Sequence, residues 1–122
     1  MEKIILFKNK LNQKLNDAKE KKEILETEKL FDEAVFESIK INVTEIFVKM
    51  LDICEKKSSS SLDRLIEEYL SFLNNIPKNW ISNLEYAKQN EDFETVMKEE
   101  IKLQTKESIL QLFNELVINN GS

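Results

Sequence analysis

Apolar residues recur along this chain at spacings of three and four. The densest run is Glu28 to Lys57, EKLFDEAVFESIKINVTEIFVKMLDICEKK, which no Gly or Pro interrupts. That period predicts one long buried helix against which its neighbours pack. Phe31, Val35, Ser38, Ile39, Asn42, Val43, Ile46, Met50 and Ile53 form its main stripe, and Phe47, Leu51 and Cys54 widen it in the second half. A stripe that widens in this way suits contact with two neighbours. Thr27 stands where an N-cap is needed. Ile41-Asn42-Val43-Thr44 combines three β-branched residues with an Asn, so a kink or break is expected there if anywhere.

A first helix is expected over about 2–26. Ile4, Phe7, Leu11, Leu15, Ala18 and Leu25 share one face, a narrow stripe close to a coiled-coil seam. Ile5 and Leu6 lie off that stripe, so the first turn is apolar nearly all round. This makes the first helix the piece expected to reach outside the domain, with Ile5, Leu6 and the neighbouring Lys8 as candidate partner contacts. After the central helix (about 28–56), four serines mark a loop, and Ser60 or Ser61 is positioned to cap a third helix over 62–74. Its inward face is Leu62, Leu65, Ile66, Tyr69, Leu70 and Leu73. Pro77 starts a fourth helix over 78–89, Ile76 before it being pushed out of helical geometry. Trp80, Ile81, Leu84 and Ala87 are expected inward. Asn90 can cap a last helix over 91–118, and Asn119-Asn120-Gly121-Ser122 forms a natural stop. In that last helix Phe93, Val96, Met97 and Ile101 begin a stripe, while Ile109, Leu112, Phe113 and Leu116 end on a rotated one. Gln104 and Ser108 stand between them at seam positions. Such polar residues either fix register through hydrogen bonds or mark a stretch without a partner.

Composition supports an all-α reading. The chain has 122 residues, 41% of them apolar, with one Gly (Gly121) and one Pro (Pro77). Average usage would give roughly nine and six. A sandwich or barrel has no turn residues to work with here. The expected architecture is therefore a single domain spanning 1–122, an antiparallel bundle of four to five helices.

Charge refines the picture of partners. The net charge is −5, which argues against general nucleic-acid binding. Residues 1–22 hold seven Lys against three acids, and residues 23–122 hold eleven basic against twenty acidic groups. The basic first helix either attracts the acidic body as a solvated face or contacts an anionic surface. No apolar run approaches the roughly eighteen residues of a membrane span. No signal peptide is visible, and a lone cysteine suits a reducing compartment, so a cytoplasmic location is expected.

Catalytic chemistry finds little support. With no histidine, His-based dyads and every His-containing metal site are excluded. One C-terminal Gly leaves no phosphate-cradling loop. Cys54, one turn from Met50, is expected to be a buried and inert thiol. Glu67-Glu68, Glu91-Asp92-Glu94 and Glu99-Glu100 are expected mostly on outward faces. No enzyme activity and no cofactor are expected. Trp80, after Pro77, either plugs the corner between helices three and four or anchors a partner, since Trp is enriched at binding hot spots.

Two stretches resemble the phasins, small helical proteins that coat polyhydroxyalkanoate granules. Phe31-Asp32-Glu33-Ala34-Val35-Phe36-Glu37-Ser38-Ile39-Lys40, continuing to Phe47, resembles that family's first amphipathic helix. Ala87-Lys88-Gln89-Asn90-Glu91-Asp92-Phe93, continuing through Gln104 to Leu116, is similar to its helix break and second helix. The likeness covers about half the chain and implies non-catalytic coating of an apolar granule, with self-association. Two functions are thus expected: a helical module that binds another protein (a small chaperone, adaptor, inhibitor or immunity-type protein), or a coat of a granule or lipid surface.

Overall fold

The computed structural model describes residues 2–58 and 61–119. Among these there are five α-helices and no strand: α1 (Glu2–Thr27), α2 (Phe31–Lys57), α3 (Leu62–Asn75), α4 (Lys78–Gln89) and α5 (Phe93–Phe113). A π-helical turn, Asn114–Ile118, continues α5. The chain is an all-α helical bundle. Ser59, Ser60 and the stop at Asn120, Gly121 and Ser122 lie outside the described residues.

Long-range contacts fix the helix directions. Lys8 of α1 meets Asp52 and Glu55 near the end of α2, and Lys21 meets Glu37 near its start. Phe7 packs on Phe113, and Lys14 reaches Ser108. Helix α1 therefore runs antiparallel to both α2 and α5, which point the same way, the return between them being made by α3 and α4. The α1–α2 and α4–α5 turns consequently sit at the same end of the bundle.

One buried cluster joins the helices. Ile4, Phe7 and Leu11 of α1 meet Val43, Phe47, Leu51 and Cys54 of α2, Leu65, Tyr69 and Leu73 of α3, and Ile109, Phe113 and Val117. Tyr69 stands at its centre, with ring centroids 5.7 Å from Phe7 and 4.9 Å from Phe113. Its hydroxyl donates to the Phe47 carbonyl at 2.9 Å, which meets the hydrogen-bonding need of a buried phenol. The wide π turn keeps Val117 on the buried face that Ile109 and Phe113 occupy.

Helix α2 is the hub, but its buried face is rotated from the expected stripe. The buried positions are Ala34, Glu37, Ile41, Val43, Thr44, Phe47, Leu51 and Cys54; Val43, Phe47, Leu51 and Cys54 match the expected stripe, whereas Ala34, Glu37, Ile41 and Thr44 do not. Phe31, Val35, Asn42 and Ile53 are exposed. Two polar residues occupy this seam at little cost, because each has a partner. Glu37 sits 3.2 Å from both Lys21 and Lys40, and the Thr44 hydroxyl donates to the Lys40 carbonyl at 2.7 Å. Helix α2 runs unbroken through Ile41–Thr44, the weak patch of the sequence. Helix α1 packs along the length of α2 and supplies core residues, so it belongs to the bundle rather than reaching out of it.

The ends of the helices differ in their caps. Thr27 stays inside α1, its hydroxyl donating to the Glu23 carbonyl, and α2 begins after Leu30 with no side-chain cap. Ser61 caps α3 by accepting from the Arg64 N–H at 3.4 Å. Ile76 keeps helical geometry (φ −59°, ψ −42°) and bonds back to Phe72. The missing N–H of Pro77, rather than its steric effect on Ile76, separates α3 from α4. Asp92, not Asn90, caps α5.

Candidate functional site

The end of the bundle that carries the two turns is built by one repeated device. At the close of α1 the Leu30 N–H bonds the Leu25 carbonyl (2.8 Å) and the Lys29 N–H bonds that of Glu26 (3.0 Å). At the close of α4 the Asp92 N–H bonds Ala87 (2.9 Å) and the Glu91 N–H bonds Lys88 (3.3 Å). Both are Schellman turns, which need a left-handed residue usually supplied by Gly. Here Lys29 (φ 62°) and Glu91 (φ 55°) take that role. Each turn reverses the chain so abruptly that the first residues of the next helix are left uncovered.

Those uncovered residues are apolar. Phe31 and Val35 lie one turn apart on the start of α2, and Phe93 and Met97 repeat this on α5. Phe31 is 58% exposed, Phe93 69% and Tyr86 of α4 70%; Ile24 and Leu30 are exposed beside the first turn. Seven of the twelve exposed large apolar side chains among the described residues therefore gather at this end. Their surroundings are acidic. Residues 23–33 and 88–94 carry eight carboxylates and two lysines, and all eight carboxylates are exposed. Asp92 accepts from both the Thr95 hydroxyl (2.7 Å) and the Thr95 N–H (3.3 Å), which hold its carboxyl below the ordinary range.

The four residues singled out in the sequence lie elsewhere and are not brought together. Ile5 (60% exposed) and Leu6 project from the opposite end, roughly 30 Å along α1 from Ile24 at 1.5 Å per residue. Lys8 is engaged within the chain. Its ammonium lies 2.9 Å from Glu55 and 3.4 Å from Asp52, and the Glu55 hydrogen bond chiefly raises its pKa against the opposing effect of desolvation. Trp80 is half-buried at the start of α4, its ring edge-on to Phe47 at 6.5 Å, with the Lys102 ammonium 5.9 Å from its centroid. Lys102 also holds Glu99 at 3.0 Å, and this pairing lets Glu99 turn inward and be buried, unlike the outward face expected for its cluster.

No family model matches the chain, and no curated protein or solved structure shows significant similarity to it.

The remaining chemistry is muted. Cys54 is buried, and desolvation, then the nearby Glu68 charge, push its thiol up to about 11. A thiol so protected is a poor nucleophile. No group of three or more metal-ligating side chains occurs among the described residues. No described helix is long and apolar enough to cross a membrane. The signal for the turn end was present in the sequence as acidic residues flanking Phe31 and Phe93, but both phenylalanines read more simply as core.

Proposed function

We propose that this chain is a non-catalytic helical module that binds another protein, and that the acidic, apolar end formed by the two turns is its docking surface. The observation that carries this reading is the convergence of Ile24, Phe31, Val35, Tyr86, Phe93 and Met97 at one end, rimmed by eight exposed carboxylates. Exposed apolar groups with a polar rim mark interaction sites. The sign of the rim selects the occupant: a basic amphipathic segment, whose apolar face covers the aromatics while its lysines or arginines meet the carboxylates.

The test is fluorescence anisotropy with a labelled 18-residue Lys/Leu amphipathic helix, alongside a Glu/Leu peptide of the same pattern. The protein binds the basic peptide and not the acidic one. Phe31→Ser with Phe93→Ser, which leaves every charge in place, weakens binding at least tenfold. Equal binding by the variant overturns the reading. Affinity for phosphatidylcholine vesicles in place of the peptide would favour the coat function that the phasin resemblance implies.

A further inference from the structure

Midway along the bundle, roughly 20 Å from the turn end by the rise of thirteen helical residues, α1, α2 and α5 line a cavity of about 290 Å³ that opens to solvent. Its origin is the polar interruption of α5. Gln104, Thr105 and Ser108 stand where large apolar side chains would otherwise fill the seam, and they face Lys14 and Ala18 of α1 and Lys40 and Thr44 of α2. Ile109 and Ala18 give the cavity an apolar floor.

The cavity is cationic in an otherwise acidic protein. The Lys14 ammonium has Ser108 Oγ at 3.0 Å as its partner, and no carboxylate among the described residues lies within ion-pair distance of it. Lys40 and Lys21 share the single carboxylate of Glu37, each at 3.2 Å. Two ammonium groups, Lys14 and Lys40, therefore line the cavity, and Glu37 is the one carboxylate within ion-pair distance of either among the described residues. Thr44 and Thr105 satisfy themselves on helix carbonyls, at 2.7 Å to Lys40 and 2.8 Å to Ile101. Lys14, Lys40, Ser108 and the Gln104 amide remain as donors around one space.

We propose that this cavity is a binding site for a small organic monocarboxylate. The carboxylate meets Lys14 and Lys40, with Ser108 and Gln104 as hydrogen-bond donors, and a short apolar body rests on Ala18 and Ile109. The volume lies at the lower limit of ordinary ligand pockets, about 300–1,000 Å³, which sets the size of the occupant. The site is remote from the turn end, so it stands or falls independently of the protein-docking function.

The probe is benzoate, titrated into the ¹⁵N-labelled protein with inorganic phosphate and benzyl alcohol as separate arms. Benzoate shifts the amides of Gln104, Thr105 and Ser108 saturably in the millimolar range or below. Phosphate, without an apolar body, and benzyl alcohol, without a charge, each bind at least tenfold more weakly. Lys14→Ala, at an exposed position, keeps the helical spectrum and loses at least tenfold in affinity; Ser108→Leu fills the space and abolishes saturation. Equal affinity for phosphate, or benzoate binding unchanged in both variants, overturns the proposal.

Discussion

Lys29 and Glu91 hold the same left-handed backbone conformation in equivalent turns at the same end of the bundle. Left-handed geometry costs an L-residue with a Cβ about 1 kcal/mol relative to Gly. Lys29→Gly and Glu91→Gly are therefore each expected to stabilise the fold by about 0.5–1 kcal/mol, less the entropy Gly adds to the unfolded chain. In a chain of this size the gain appears as a rise of about 2–5 °C in thermal midpoint. A fall at either site would show that the turn geometry is not as described.

Burial separates two phenylalanines that look alike in the sequence. Phe113 is buried against the rings of Phe7 and Tyr69, whereas Phe93 is largely exposed. Phe113→Ala should cost about 3–5 kcal/mol in denaturant unfolding. Phe93→Ala should stay within about 0.5 kcal/mol of the parent. Tyr69→Phe, which removes only the donor to the Phe47 carbonyl, should cost about 1–2 kcal/mol.

Glu37 makes the α1–α2 seam polar at a position that Leu could fill. Its two partners can turn to solvent, since the Lys21 and Lys40 side chains are 63% and 44% exposed. Replacing a buried ionic group by a packed apolar one is often neutral or stabilising. Glu37→Leu is expected to leave stability unchanged or raise it by about 1 kcal/mol, read by urea unfolding. A loss above about 2 kcal/mol would mean that the charge cluster holds the helices together more than the packing does.

The Cys54 thiol carries a pH signature. Burial, then the Glu68 charge, raise its pKa from 9.0 to about 11. The folded state therefore holds the proton more tightly than the unfolded chain does. The stability linked to this group is fully present below pH 9 and is lost as pH rises towards 11. Because the Tyr69 phenol is also raised by burial, the Cys54 share is isolated by comparing the parent with Cys54→Ala across that window. The parent should lose stability more steeply, and its thiol should resist iodoacetamide at pH 8 until denaturant is added.

Helix positions were legible in the chain because their punctuation is local: Ser61 as a cap, Pro77 as a break and Asp92 near a marked acidic start. The buried face of α2 was less so. An apolar-only stripe selects Phe31, Val35 and Ile53, whereas the true seam admits Glu37 and Thr44, whose partners come from α1 and from the helix backbone. The left-handed turns were hidden because Lys and Glu replace the Gly that announces a Schellman turn. The polar interruption at Gln104 and Ser108 was visible. Its counterparts, Lys14 and Lys40, were not, since only the three-helix arrangement brings them to one cavity. The exposed end was missed for the same reason: which apolar stripe faces outward depends on where α1 and α4 stop.

The central claim is that docking takes place at the turn end. It is tested most directly by mapping the footprint of the Lys/Leu helix peptide on the protein by amide chemical-shift perturbation. The account predicts that shifts concentrate at residues 24–35 and 86–97 and spare Ile5, Leu6, Ile53 and Ile118 at the other end. A footprint centred on Ile5 and Leu6, or one spread over the acidic surface without regard to Phe31 and Phe93, would contradict it.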